Sequence, residues 1–288
     1  MEHPRFMKKQ ELTKLFNNLK WWGLLLDKIK TNLMNLSSQY AQNFNDNNNP
    51  KHAVVSKIET AQFFTFSSIS ILINNGHFAD SFSLLRTLYE GHLHLWNICN
   101  GTDEQAEKYQ ILSDIQDWRI AEEIREYLIK TTDKRLFDYP EDNALKQKYQ
   151  AALSYFNCSP DKIPRNYTTI SNENIAASID RGETDLEPSR GFMHVRLYSA
   201  GSEFVHRSFY SLVEGYAVYE IVRNRSSRWV MAPSPARGIE TAWWSSVIIL
   251  DSHQWIMKLL NIDMDPIISE LRKEVIEKIR AYKYGDLR

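Results

Sequence analysis

Leu12, Leu15, Phe16, Leu19, Trp22, Leu26, Ile29 and Leu33 recur at steps of three and four residues, which puts them along one stripe of a helix predicted over residues 8–42. A helix that long cannot hide its apolar stripe by itself, so other helices must pack against it. The same period returns over residues 52–74, 79–100, 102–128, 143–156, 191–223, 239–260 and 263–284. Only 10 Gly and 9 Pro interrupt 288 residues, which disfavours a turn-rich β-fold. No strand pattern and no repeat stands out. The expected architecture is all-α, an antiparallel helical bundle with long helices and an irregular insert.

The punctuation supports this layout. Asn43 to Pro50 is an Asn-rich polar loop, and Asn75-Gly76 suits a tight turn that folds two helices into a hairpin. Thr102-Asp103-Glu104 has the N-cap and acidic first turn of a helix start. Ile111, Ile115, Trp118, Ile120, Ile124 and Leu128 are expected to form that helix's apolar face. Residues 158–190, with Pro160, Pro164 and Pro188, form the insert, with a short helix near 174–180. Residues 225–235 are expected to be a loop. The chain is expected to form a single helical domain over 1–288, with an N-terminal helix within 1–45 and its core over about 50–260.

Thirty-five Lys and Arg against 36 Asp and Glu leave a net charge of −1, which argues against a chain built to coat nucleic acid or an anionic membrane. Two cysteines, Cys99 and Cys158, give neither a disulfide framework nor a cysteine zinc site. No apolar run nears the roughly 20 residues of a membrane span. The setting expected is cytoplasmic, away from any membrane.

Two clusters carry candidate chemistry. Arg86 and Glu90 lie four residues apart in an apolar helix and share a face with Phe82, Tyr89 and Leu93. His94, a further four residues on, extends the stripe, while His92 lies well round the helix. Tyr198, Ser202 and His206 form a second four-residue stripe beside the small residues Ala200 and Gly201. Two readings stay open for the first cluster: a buried ion pair that fixes helix register, with His92 and His94 partly exposed, or a polar cluster aimed into a cleft. For the second, Tyr198, Ser202 and His206 form a satisfied hydrogen-bond chain inside a core, or His206 is a general acid or base. Arg86→Ala is expected to leave Glu90 as an uncompensated, partly buried charge, at a cost of about 3–5 kcal/mol. Glycine-rich phosphate loops and paired metal-ligand motifs are missing, so no cofactor or metal is expected.

The segment Asn75-Gly76-His77-Phe78-Ala79-Asp80-Ser81-Phe82-Ser83-Leu84-Leu85-Arg86-Thr87-Leu88-Tyr89-Glu90 resembles a widespread bacterial family of helical proteins, domain of unknown function 5677, over residues 50–260. Its Arg-x-Leu-x-Glu helix and its later Tyr, Ser and His look like Arg86, Leu88, Glu90, Tyr198, Ser202 and His206. That family is distantly similar to the HEPN group, which includes metal-independent RNases of toxin–antitoxin and phage-defence systems. Their site is an Arg, four to six residues, then a His, working across a dimer. Arg86 and His92 have that spacing, whereas Arg196 and His206 are too far apart. The resemblance implies a HEPN-like bundle acting on RNA as a homodimer. Arg86, Glu90 and His206 would be catalytic, and Tyr198, Ser202 and His94 would bind substrate. The competing class is a non-catalytic module that holds a partner protein or small ligand between its helices.

Overall fold

The computed structural model describes residues 9–44, 49–130, 143–159, 162, 167–183, 188–199, 216–223 and 226–281. Helix α1 (Lys9–Tyr40) ends in a 3-10 turn, Ala41–Phe44, and α2 (Pro50–Asn74) follows. Asn49 caps α2 by accepting from the amides of Lys51 and His52, and Pro50 takes the first helical position. The helix therefore starts two residues earlier than the sequence suggests.

The turn into α3 (Phe78–Asn100) is a Schellman motif. The His77 amide donates to Leu72 O at 2.8 Å and the Gly76 amide to Ile73 O at 3.1 Å, with Gly76 at φ +80°. Helix α4 (Asp103–Lys130) opens on a capping box: Thr102 Oγ1 accepts from the Gln105 amide, and Gln105 Oε1 from the Thr102 amide. Then come α5 (Asn143–Phe156), α6 (Asn172–Gly182) and a short α7 (Arg190–Met193) that widens into a π-helical turn, His194–Ser199. The last two helices are α8 (Pro235–Leu259) and α9 (Pro266–Ala281).

The helical bundle agrees with the sequence, with one local departure. Residues 216–223 were expected to continue a helix, and 225–235 to form a loop. Instead β1 (Tyr216–Arg223) and β2 (Ser226–Pro233) make a two-stranded antiparallel hairpin, in register from Tyr216 opposite Pro233 to Arg223 opposite Ser226. The β-branched and aromatic content of Tyr216-Ala-Val-Tyr-Glu-Ile-Val222 favours extended backbone, and a short apolar run cannot be assigned by periodicity alone.

Helix α8 is the axis of the molecule. Nearly all of it from Pro235 to Met257 is buried, and it packs against α1, α2, α3 and α9. A helix buried on every side needs small residues where neighbours cross. Gly238 is such a place: a Cβ there would sit 2.6 Å from the Phe78 ring of α3 and 3.0 Å from Leu19 of α1. The core that results joins Trp22, Leu26, Phe66, Phe82, Leu85, Leu88, Trp244 and Leu271 with their neighbours.

A small second core, Ile115, Trp118, Tyr149 and Ala152, ties α4 to α5. Ile120 and Ile124, expected on the apolar face of α4, are exposed instead, beyond the cluster of Ile115 and Trp118 with α5. Among the described residues, no helix is long and apolar enough to cross a membrane.

Candidate functional site

Arg86 and Glu90 form the ion pair that their spacing suggests, with Arg86 Nε donating to Glu90 Oε1 at 3.0 Å. The pair is not buried: the side chains keep 20% and 32% of their surface. Arg86 lies over the ring of Tyr198 from the π turn, its guanidinium carbon 4.6 Å from the ring centroid. His194, one turn earlier, stacks on Tyr198 at 4.9 Å with the planes 14° apart. Glu90 thus occupies the Nε edge of Arg86 and Tyr198 covers a face. The terminal nitrogens of Arg86 make no further hydrogen bond among the described residues and are accessible.

Two salt-bridge anchors put Tyr198 there. At one end of the α7–π segment, the fully buried Arg190 reaches Asp251 of α8. It also donates from Nε to His92 Nε2 at 3.0 Å and from Nη1 to Pro188 O at 2.8 Å. Asp180 receives the amides of Arg190 and Gly191 at 2.6 and 2.8 Å, which fastens α6 to the start of α7. At the other end, Arg196 forks onto Glu240 of α8, at 2.7 Å through Nε and 3.2 Å through Nη2, and Arg237 binds the same carboxylate. Arg237 in turn lies 4.6 Å from the ring centroid of Phe82 on α3. Burial pushes the Glu240 carboxyl up, but the charges of Arg237 and Arg196 outweigh it and hold the group below its ordinary range.

His92 belongs to this interior. The ion-pair reading left the two histidines of α3 partly exposed, but His92 is fully buried, stacked on Trp255 at 4.3 Å and in contact with Ser252 Oγ through Nδ1 at 2.7 Å. Arg190 can only donate, so Nε2 of His92 accepts and its proton sits on Nδ1. Burial, and then the charge of Arg190, push its pKa well below the ordinary value. A ring that already donates to Ser252 cannot take that hydroxyl's proton, which removes any serine–histidine nucleophile here. It also removes the Arg86-to-His92 spacing as a site: Arg86 turns to Glu90 and Tyr198, while His92 faces α8.

His94 does not join the Arg86 group either. It lies one turn past Glu90 and feels its charge, but its Nδ1 contacts the Tyr167 hydroxyl at 3.1 Å and its ring packs on Tyr109. Asn97 Nδ2 donates to the same hydroxyl at 3.0 Å. Ser202 and His206 lie outside the described residues. Of the sequence candidates, Arg86, Glu90 and Tyr198 therefore come together, and His94 stands apart.

Sequence reasoning missed Arg190, His194, Glu240 and Asp251. Two signals could have found them. Arg190, His194 and Tyr198 continue backwards, in steps of four, the stripe that runs on to Ser202 and His206. Glu240 and Asp251 are isolated acids eleven residues, or about three turns, apart on an apolar helix, hence on one face.

No curated protein and no solved structure matches the chain. A family model does, over residues 52–218, more than half of the length, and its span contains the whole Arg86, Glu90, His194 and Tyr198 group. Helices α3 to α7, the α2–α3 turn and this group accordingly sit inside the matched region, and the chain belongs to the family of unknown function DUF5677.

Proposed function

We propose that the protein is a HEPN-like, metal-independent RNA endonuclease with Arg86 at the centre of its site. The observation that carries this reading is the state of Arg86: Glu90 holds it at one edge, Tyr198 covers a face, and its terminal nitrogens are open. A guanidinium fixed with a free edge suits a phosphate oxygen in two-point contact. RNA supplies its own nucleophile, so such a site needs neither metal nor cofactor. The 2′-hydroxyl attacks the adjacent phosphorus, the bond to the 5′-oxygen breaks, and the products are a 2′,3′-cyclic phosphate and a free 5′-hydroxyl.

In this scheme Arg86 stabilises the charge that builds on the phosphoryl oxygens. Glu90 is a positioning residue that orients Arg86. His206 moves the proton of the 2′-hydroxyl or the leaving oxygen. Tyr198 and Ser202 line the substrate. A homodimer and a toxin or phage-defence setting belong to the same reading. Near-neutral net charge means few backbone contacts, so binding should be weak, and low salt favours it.

The test is cleavage of single-stranded RNA at low salt with a chelator present. Wild-type protein should cut, and Arg86→Ala and His206→Ala should each remove activity while leaving the circular dichroism unchanged. RNA that is bound but left intact by folded wild-type protein would replace this reading with the non-catalytic binding module.

A further inference from the structure

A cleft of about 360 Å3 between α8 and α9 carries chemistry that the Arg86 group does not use. Gln254 lines it from α8, and Ser269, Arg272, Lys273, Glu277 and Arg280 line it from α9, with Ile276 as its apolar wall. Three cations therefore face one carboxylate. Glu277 approaches Lys273 only at 3.9 Å, and both side chains are well exposed, so water and salt screen that contact.

Arg272 is placed differently. Its Nε donates to Asp251 Oδ1 at 2.6 Å, but the other oxygen of this fully buried carboxylate is taken by Arg190. Two guanidiniums share one carboxylate, so the trio keeps a net positive charge next to the cleft. The Nη2 nitrogen of Arg272 is itself buried and finds no hydrogen-bond partner among the described residues. Nη1 of Arg272 also makes no hydrogen bond among the described residues but is accessible, on a side chain that lines the cleft, so an incoming anion meets an open donor beside an excess of positive charge.

We propose that the α8–α9 cleft binds a small phosphate-bearing dianion, inorganic phosphate or a phosphate monoester of mononucleotide size, held by Arg272, Lys273 and Arg280. Arg272 supplies a donor fixed in place by Asp251, and Lys273 and Arg280 supply the remaining charge. The site is independent of any action on RNA at Arg86.

The experiment follows the thermal midpoint of the full chain during titration with inorganic phosphate and, separately, with AMP, at constant ionic strength. The wild-type midpoint should rise and saturate. The double variant Lys273→Gln/Arg280→Gln should bind at least tenfold more weakly, whereas Lys258→Gln, outside the cleft, should match wild type. Arg272→Gln should also lose the response, but it disturbs Asp251, so the double variant decides. Tighter binding of AMP would assign the cleft to a nucleotide monoester, and equal binding to the phosphate group alone. A linear rise that is the same in all variants, as surface exclusion of phosphate produces, would overturn the site. So would a saturating rise that the double variant leaves unmoved.

Discussion

Arg190 and Arg86 are both arginines paired with a carboxylate, yet their surroundings give the two pairs very different weight. Arg190 and Asp251 are fully buried, and removing either leaves the other's charge inside the core. Asp251→Ala leaves Arg190 without a carboxylate and should cost about 3–5 kcal/mol, and Arg190→Ala should cost less, because Arg272 still binds Asp251. Arg86 and Glu90 are partly hydrated, so Arg86→Ala should cost on the order of 1 kcal/mol, less than the sequence alone suggests. Denaturant melts of the three variants check the order, and an equal loss at Arg86 would contradict it. The histidines set the acid limit of the fold. Burial lowers His92 well below its ordinary pKa, with Arg190 adding to the effect, and lowers His253 to about 4. The unfolded chain takes up these protons near pH 6.5 while the folded chain does not. Stability is thus full above pH 6.5 and falls below it, by about 1.4 kcal/mol per pH unit for each such histidine. At His253 the loss ends near pH 4. His253→Gln should flatten the fall between pH 6 and 4.5 by one proton's worth, as measured by urea melts across that range.

At the scale of elements, the crossing at Gly238 is the tightest constraint. Gly238→Ala improves helix propensity, but its methyl group meets the Phe78 ring at 2.6 Å, so overpacking should win and cost about 1–3 kcal/mol. A stabilised variant in thermal melts would show that α1 and α3 give way easily. The α4–α5 pair, held by a core of four buried residues, should exchange its amides well before α8 does, which hydrogen-exchange mass spectrometry resolves segment by segment. These elements also mark what was legible in advance. Helix periodicity placed α1 to α5, α8 and α9, and the Asn75-Gly76 turn was readable because its cause is local. Arg86 with Glu90 was readable for the same reason, since both sit on one helix face. Arg190 with Asp251 was not, because the partners are 61 residues apart and meet only once α7 packs on α8. The hairpin was missed because its apolar runs are too short for a helical and an extended pattern to be told apart.

For the whole molecule, α8 does two jobs with two acids. Its apolar surface gathers α1, α2, α3 and α9, while Glu240 and Asp251 hold the segment that presents His194 and Tyr198 to Arg86. The interior is therefore a brace, and the proposed RNA site is the half-exposed group on its rim. Arg86 stays half-exposed at the surface, whereas the buried charges of Arg190, Arg237 and Asp251 are paired. The most direct measurement of the proposed RNA cleavage is mass spectrometry of the ends left on a defined RNA oligonucleotide incubated with the purified chain and a chelator. Fragments ending in a 2′,3′-cyclic phosphate and starting with a 5′-hydroxyl are the result expected, and they should disappear with Arg86→Ala. Intact oligonucleotide, or fragments with 3′-hydroxyl ends, would contradict it.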